Sequence, residues 1–209
     1  MQTLDQMPVI KHPYESAGFQ RRELDEQHAI YTGSLPDELK LSSDAFDELW
    51  RLHPDQYPVI RMRGRAIKTP HWQQAYERDY RYTGQINRAV PIPAIVQPYL
   101  AWSQAAIDRR LNGVLVNWYD GSLGHYIGRH RDSTIGMTWG APIVTISLGE
   151  ERVFRQRPYR GRGYHDFPAH DGAVFIVPYE TNLSWTHEVP KQKSCLGRRI
   201  SITVRGFSA

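Results

Sequence analysis

The feature that most constrains the fold of this chain is a change in hydrophobic period at Gly113. From there to the end, residues follow the two-residue period of β-strands, and glycines and prolines separate the strands. So many short strands favour a sandwich, jelly roll or barrel over a parallel sheet. The predicted strands run from Val114 to Tyr119, Tyr126 to Asp132, Ile143 to Leu148, Val153 to Arg157, Ala173 to Val177, Leu183 to Val189 and Arg199 to Gly206.

The chain before Gly113 carries irregular and helical patterns. Residues 1–40 are polar with scattered apolar anchors, so we expect an N-terminal extension that packs over the body. Residues 42–44 offer an N-cap for a short helix that ends near Pro54. Residues 59–65 alternate apolar and basic from Ile60 onward, which predicts a strand with a positive face. A long helix is predicted from about Ala94 to Asn112, with Gly113 as its C-cap.

Composition is typical of a soluble globular protein. The chain has 209 residues, of which 40% are hydrophobic and 23% charged, and we expect one domain. No apolar run approaches the roughly 18 residues of a membrane-spanning helix, and the N-terminus lacks a secretory pattern. The single cysteine, Cys195, excludes an internal disulfide framework and fits a reducing compartment. We therefore expect a cytoplasmic monomer without membrane contact.

Basic and aromatic segments favour an anionic partner. The net charge is only +4, but arginines cluster within residues 61–68 and again within residues 152–162. The aromatic segment 69–82 follows the first cluster, and aromatic rings beside arginines suit stacking on bases. Basic patches can follow phosphates. The alternative is that the arginines are simply solvated and that rings such as Trp72 pack on the core.

A second feature is the sequence His130-Arg131-Asp132, with another histidine at His187. In a strand, residues 130 and 132 project to the same face, so one imidazole and one carboxylate would lie together. A third ligand from a distant strand would complete a two-histidine, one-carboxylate triad. That arrangement holds non-haem Fe(II) and leaves positions open for O2 and a cosubstrate. The tripeptide alone is weak support, because such matches also arise by chance.

The closing strand adds a second kind of site. Residues 199, 201, 203 and 205 share one face and are all polar, while the residues between them are apolar. Such a strand either lies on the outside of a sheet or lines a polar pocket. In a pocket, Arg199 and Arg205 with Ser201 between them would bind a dicarboxylate, because guanidinium pairs bidentately with carboxylate.

Taken together, the motifs from about Gly64 to Phe207 resemble the AlkB family of Fe(II)- and 2-oxoglutarate-dependent dioxygenases. The best known members remove alkyl groups from DNA or RNA bases. The resemblance rests on motifs in the family's order: Pro70 with Gln73 and Tyr76, residues 80–84 (YRYTG), 117–121 (NWYDG), 127–132 (IGRHRD), 142–149 (PIVTISLG), 185–190 (WTHEVP) and the closing strand.

The resemblance implies a fold and a set of roles. The fold would be mainly β, a double-stranded β-helix or jelly roll at residues 114–207 with an N-terminal lid at 61–90, an extension at 1–60 and flanking helices. Fe(II) would be bound by His130, Asp132 and His187, and the two carboxylates of 2-oxoglutarate by Arg199 and Arg205. Hydrogen bonds to the cosubstrate would come from Asn117 and Tyr119. The lid would contact the target nucleotide, single-stranded or flipped out, through Trp72 and Tyr76.

The sequence departs from the repair pattern near the metal site. Ser133 and Thr134 follow Asp132 where repair enzymes usually have acidic residues, Ser201 stands where many have asparagine, and His71 and Trp72 replace more usual residues. The metal chemistry is therefore better supported than the substrate. Three alternatives stay open: a hydroxylase of a small molecule or protein side chain, an inactive jelly-roll binding domain, and a structural zinc site, although the last usually requires four ligands.

Overall fold

The computed structural model describes residues 12–62, 65–82 and 85–208. Its helices are α1 (Pro13–Ser16), α2 (Ser43–Trp50), α3 (Gln97–Ala106) and α4 (Tyr179–Ser184). Its strands are β1 (Gln20–Glu23), β2 (Ala29–Ser34), β3 (Val59–Met62), β4 (Arg65–Lys68), β5 (Trp72–Tyr76), β6 (Tyr80–Tyr82), β7 (Gln85–Asn87), β8 (Gly113–Asp120), β9 (Ile127–His130), β10 (Ile143–Gly149), β11 (Arg152–Pro158), β12 (His165–Ala169), β13 (Ala173–Val177), β14 (Trp185–Val189) and β15 (Arg198–Arg205).

Two antiparallel sheets form the body of the molecule. The larger has seven strands in the order β1-β2-β13-β10-β15-β8-β5, and the smaller has four in the order β12-β11-β14-β9. Residues of both sheets line one cavity, so the sheets face each other across it. Strands β3 and β4 form a separate hairpin, as do β6 and β7. The predicted mainly-β jelly-roll architecture is confirmed.

The two faces of the large sheet have different partners. On β15 the apolar residues Ile200, Ile202 and Val204 are completely buried in the main core, together with Leu49 of α2 and Tyr99 of α3. Each such buried side chain contributes about 1.5–3 kcal/mol to the free energy of folding, so this face anchors the helices to the sheet. The polar residues Arg199, Ser201, Thr203 and Arg205 lie on the opposite face and line the cavity. Of the two faces predicted for the closing strand, the apolar face therefore packs on the core and the polar face lines the cavity.

The helices follow the sequence prediction in part. Helix α2 begins as predicted, since the Ala45 amide donates to Ser42 Oγ at 3.3 Å. Helix α3 is shorter than predicted and ends at Ala106, and Gly113 is the first residue of β8 instead of a helix cap. A Cβ on Gly113 would lie 2.7 Å from the Phe207 ring, so the glycine allows this close approach.

Several strands differ from the predicted ones. The region before residue 40, predicted to be irregular, contributes β1 and β2 to the large sheet. Strand β12 was not predicted, and the predicted strand at 126–132 ends at His130. The predicted strand at 183–189 begins at Trp185, after α4. Of the predicted strand at 59–65, β3 and Arg65 of β4 are seen, whereas residues 63 and 64 lie outside the described residues. No described helix is long and apolar enough to cross a membrane.

Candidate metal and cosubstrate site

The three predicted metal ligands lie together at one side of the cavity. Strands β9 and β14 pair with His130 opposite His187, and Asp132 follows two residues after β9 ends. The Nε2 atoms of His130 and His187 lie 3.6 and 3.8 Å from Asp132 Oδ1. One ligand atom from each residue lies within 4.8 Å of the others. Strand pairing brings His187 beside His130, as expected of a third ligand from a distant strand, whereas Asp132 lies beyond the end of β9, so the predicted strand alternation does not extend to it.

Neighbouring residues fix the Asp132 carboxylate. Its oxygen Oδ1 accepts a hydrogen bond from the Tyr80 hydroxyl at 3.0 Å and contacts the guanidinium of Arg205. The Asp132 main chain is held by the Asn182 side chain of α4, which accepts from the Asp132 amide and donates to the Asp132 carbonyl, both at 3.0 Å. Sequence analysis did not identify Asn182, because nothing in the sequence indicates which residue of a distant helix reaches the site.

Burial sets the protonation of these groups. Desolvation raises the pKa of Asp132 to about 6 and lowers the pKa of His187 well below its ordinary value. The His187 imidazole is therefore neutral, as metal ligation requires. His130 Nδ1 lies 2.8 Å from the Gly128 carbonyl, so an Nδ1–H donated there leaves the Nε2 lone pair for a metal ion. The donor set of two imidazoles and one carboxylate fits Fe(II).

The predicted cosubstrate residues lie on two adjacent strands. In the pairing of β15 with β8, Arg199 is opposite Tyr119 and Ser201 is opposite Asn117. These four residues and Arg205 line the cavity. The structure therefore brings all five together beside the metal ligands.

The buried guanidinium groups have unused donors. Arg199 Nε donates to Ser147 Oγ at 2.9 Å, but its two terminal nitrogens have no hydrogen-bond partner among the described residues. Arg205 Nε likewise has no partner in the described part of the chain. Burial lowers the pKa of Arg199 to about 10, which still leaves it charged at pH 7. A buried cation with unpaired N–H groups is costly, so these donors fit the two carboxylates of 2-oxoglutarate.

The cavity has a volume of about 530 Å³ and does not include the two predicted substrate residues. Trp72 stacks on His53 and Tyr57, with ring centroids 4.2 and 5.1 Å away, and Tyr76 is buried in the main core. These contacts do not support the assignment of Trp72 and Tyr76 to the substrate, which stays a prediction. Residues 69–76 are not among the predicted strands, but β5 is a strand at the edge of the large sheet. Because alternate side chains of β5 project to opposite faces, the rings of Trp72 and Tyr76 both point toward the core.

The opposite alternation brings His71 and Gln73 to the cavity. Sequence analysis noted His71 only as a departure from the family pattern. Once β5 is recognised as a strand next to β8, residues 71 and 73 fall on the same face as Asn117, which is paired with Gln73. The strand alternation of residues 71–76 is present in the sequence, but Pro70 and the aromatic composition of the segment made the strand hard to recognise.

Most arginines of the basic segment 152–162 form hydrogen bonds or ion pairs with other groups of the protein. Arg152 is buried and donates to the carbonyls of His125 and Pro190. The other partly buried arginines form ion pairs, Arg155 with Asp166 and Arg157 with Glu188. Within this segment, Arg160 and Arg162 therefore stay the candidates for the predicted phosphate contact. Arg63, in the other basic segment, lies outside the described residues.

Comparison with known proteins identifies the class. A family model described as the 2OG-Fe(II) oxygenase superfamily matches residues 38–205. The chain belongs to this superfamily, which uses Fe(II), 2-oxoglutarate and O2. The predicted cofactors are thereby confirmed.

Its relatives are AlkB-like members. DNA oxidative demethylase ALKBH2 of Homo sapiens is 33% identical over 157 residues, which cover 70% of this chain and 60% of the relative. The Bos taurus protein of the same name is 34% identical over 103 residues, covering 45% of this chain and 36% of that protein. The chain thus matches less than two thirds of the length of these relatives.

The solved structure of OsALKBH1 has a TM-score of 0.54 at 15% identity, and the match covers 90% of this chain and 100% of that one. This likeness shows the shared fold. The predicted resemblance to the AlkB family is confirmed.

Proposed function

We propose that this dioxygenase removes alkyl groups from bases of DNA or RNA by oxidation. The observation that carries the proposal is the arrangement of one cavity, in which the triad of His130, Asp132 and His187 adjoins the unpaired donors of Arg199 and Arg205. The nucleic acid substrate is supported by the 33% identity to a human protein named a DNA oxidative demethylase.

The roles of the residues follow from their contacts. The triad holds Fe(II), the two arginines bind the carboxylates of 2-oxoglutarate, and Asn117, Tyr119 and Ser201 contribute hydrogen bonds. With Fe(II) and 2-oxoglutarate bound there, O2 would be the oxidant: one of its oxygen atoms would enter succinate as 2-oxoglutarate loses carbon dioxide, and the other would hydroxylate a substrate carbon. Hydroxylation of a carbon attached to a base nitrogen makes that carbon leave as an aldehyde. Asn182 and Tyr80 keep the Asp132 carboxylate in place throughout.

The substrate base must enter the cavity to reach the metal. A base in a duplex is inaccessible there, so we infer that the substrate is single-stranded or has the target base flipped out. A volume of about 530 Å³ is within the roughly 300–1,000 Å³ of typical ligand pockets. Lys68, at the exposed rim of the cavity, is suited to a phosphate. We propose a monomer located where nucleic acid and 2-oxoglutarate are both present, such as the cytoplasm.

The test is demethylation of defined oligonucleotides. The protein is incubated with Fe(II), ascorbate and 2-oxoglutarate and with single-stranded DNA or RNA that carries one methylated base. Mass spectrometry is expected to show loss of one methyl group, and His187→Ala is expected to show none. The matched control is His165→Ala, an exposed histidine of β12, which keeps full activity.

A second candidate is a hydroxylase of a small molecule or a protein side chain. The observation that favours it is Ser133, a neutral residue that lines the cavity directly after Asp132. Succinate formation without change in any oligonucleotide would select this candidate. Absence of succinate under all conditions would leave the inactive binding domain as the remaining alternative.

Ser133→Asp, with Thr134→Asp outside the main cavity as its control, tests whether an acidic residue at position 133 alters the choice of base.

A further inference from the structure

We propose that His71 is a positioning residue for the cosubstrate, holding the Asn117 amide and the Tyr119 ring in the orientation that binds 2-oxoglutarate. The inference rests on the cosubstrate half of the proposed function and does not depend on the nucleic acid. His71 lies just before β5, the strand that borders β8, and its side chain enters the cavity. It is 2% exposed.

His71 contacts both residues directly. Its Nε2 atom lies 3.2 Å from Asn117 Oδ1, and its ring stacks on Tyr119 with centroids 5.0 Å apart and planes 17° apart. The Tyr119 ring in turn lies against Arg199, whose Cζ is 5.1 Å from the ring centroid. His71 therefore supports a row of side chains that ends at a carboxylate-binding guanidinium.

The other ring nitrogen anchors His71 itself. Nδ1 lies 3.0 Å from the carbonyl of Tyr126, and the Thr69 hydroxyl donates to the His71 carbonyl at 2.8 Å. The Tyr126 residue belongs to the segment that leads into β9 and the metal ligand His130. The imidazole thus links the cosubstrate strand β8 to the chain that carries the metal ligand.

The hydrogen bonds specify one tautomer. Burial lowers the pKa of His71 to about 4, with smaller contributions of the same sign from His130 and His125, so the ring is neutral at pH 7. A neutral imidazole has one N–H, and the Tyr126 carbonyl can only accept, so the proton is on Nδ1. Nε2 is then an acceptor and requires a donor. The oxygen and nitrogen ends of an amide have nearly the same shape, so an Asn117 amide turned by 180° places its NH2 group against Nε2. His71 thereby decides which end of that amide faces it.

Cosubstrate binding tests the proposal without turnover. The Fe(II) protein is titrated with 2-oxoglutarate under nitrogen, and binding is followed by the visible absorbance of the complex. His71→Leu, which removes both hydrogen bonds, is expected to raise the dissociation constant about tenfold, which corresponds to about 1.4 kcal/mol. His71→Gln, which keeps a donor and an acceptor, is expected to restore most of the affinity. In the demethylation or succinate assay, His71→Leu raises KM for 2-oxoglutarate more than it lowers kcat.

His125→Gln is the matched control. His125 is also a buried histidine, but its ring bonds Tyr57 and the Asp120 amide and does not line the cavity. Its replacement is expected to leave the affinity for 2-oxoglutarate unchanged. Wild-type affinity in His71→Leu, or an equal loss in His125→Gln, would overturn the proposal while leaving the proposed function intact.

A measurement on the wild-type protein covers the case in which His71→Leu does not fold. Nitrogen-15 NMR of labelled histidines, with the His71 signal assigned from its loss in His71→Gln, reports the tautomer. A neutral ring protonated on Nδ1 is expected at pH 7. A ring protonated on Nε2 would contradict the proposed contact with the Asn117 amide.

Discussion

At the scale of single residues, Asp132 is where the proposed metal-binding and cosubstrate-binding parts of the cavity meet. Its Oδ1 atom faces both histidines and also contacts Tyr80 and Arg205. The sequence identified Asp132 and Arg205 as separate features, because only the fold brings residues that far apart in the chain into contact. The two sites share a residue pair, so their occupancies are expected to be coupled.

Removing the Tyr80 hydroxyl is expected to weaken metal binding. Tyr80→Phe deletes the hydrogen bond to Asp132 but keeps the ring that lies 4.1 Å from the Arg205 guanidinium carbon. Loss of such a support typically costs about 10–100-fold in metal affinity. Titration with Fe(II) or Mn(II) measures the effect. Tyr99→Phe, which removes a hydroxyl bonded to the Leu39 carbonyl far from the site, is the control. Equal affinities for the two variants would show that the hydroxyl has no such role.

The buried His71 also predicts a pH dependence of stability. Its pKa is about 4 in the folded protein and about 6.5 when unfolded, so the unfolded state binds the proton more tightly. Stability is therefore lost as the pH falls from about 6.5 toward 4, by about 2 kcal/mol between pH 7 and pH 5. Urea unfolding at both pH values measures this loss, and His71→Gln is expected to reduce it by that amount. An identical loss in both proteins would refute the assignment.

At the scale of elements, the strands buried along almost their whole length were predictable, whereas the exposed strands β1 and β12 were not. Strands β8, β10, β13 and β15 are almost entirely buried, so their apolar residues reveal them. Strand β1 is exposed along its whole length, and β12 is mostly exposed, so neither carries an apolar pattern. Helix α3 was overestimated because apolar residues continue at helical spacing after it ends, and Leu111 is buried from the following turn instead.

The role of β5 as a strand yields a prediction for Trp72. Because its ring packs on Trp50, His53 and Tyr57, Trp72→Ala is expected to destabilise the protein by about 3 kcal/mol. Affinity for oligonucleotides and for 2-oxoglutarate is expected to stay near that of the wild type. Chemical denaturation and binding assays check both statements. Trp139→Ala, at a tryptophan that is 78% exposed, is the control and should change stability little. A stable Trp72→Ala protein with poor oligonucleotide binding would instead support the predicted substrate role.

At the scale of the whole molecule, the proposed metal site joins distant parts of the chain. Its ligands come from β14 and from the segment at the end of β9, and Asn182 of α4 supports them. This arrangement exists only in the folded state. Metal binding therefore adds to the free energy of unfolding instead of being neutral to it.

Thermal unfolding tests this statement. A ligand that binds only the folded state stabilises it by about 2.7 kcal/mol at 100 times its dissociation constant. Saturating Mn(II) with 2-oxoglutarate is expected to raise Tm by several degrees in the wild type. The increase should disappear in His187→Ala and persist in His165→Ala. A similar increase in His187→Ala would place the stabilising metal elsewhere.

The alternation along β15 has a consequence for how such a protein can evolve. Ile200 and Ile202 face the core, whereas Ser201 and Thr203, one residue away, face the cavity. Selection for stability and selection for cosubstrate binding therefore act on neighbouring codons through different sides of the same sheet. A change such as serine for asparagine at position 201 alters the cavity without moving the helices packed behind it. The lining of the cavity can thus change within this fold while its core sequence is left almost unchanged.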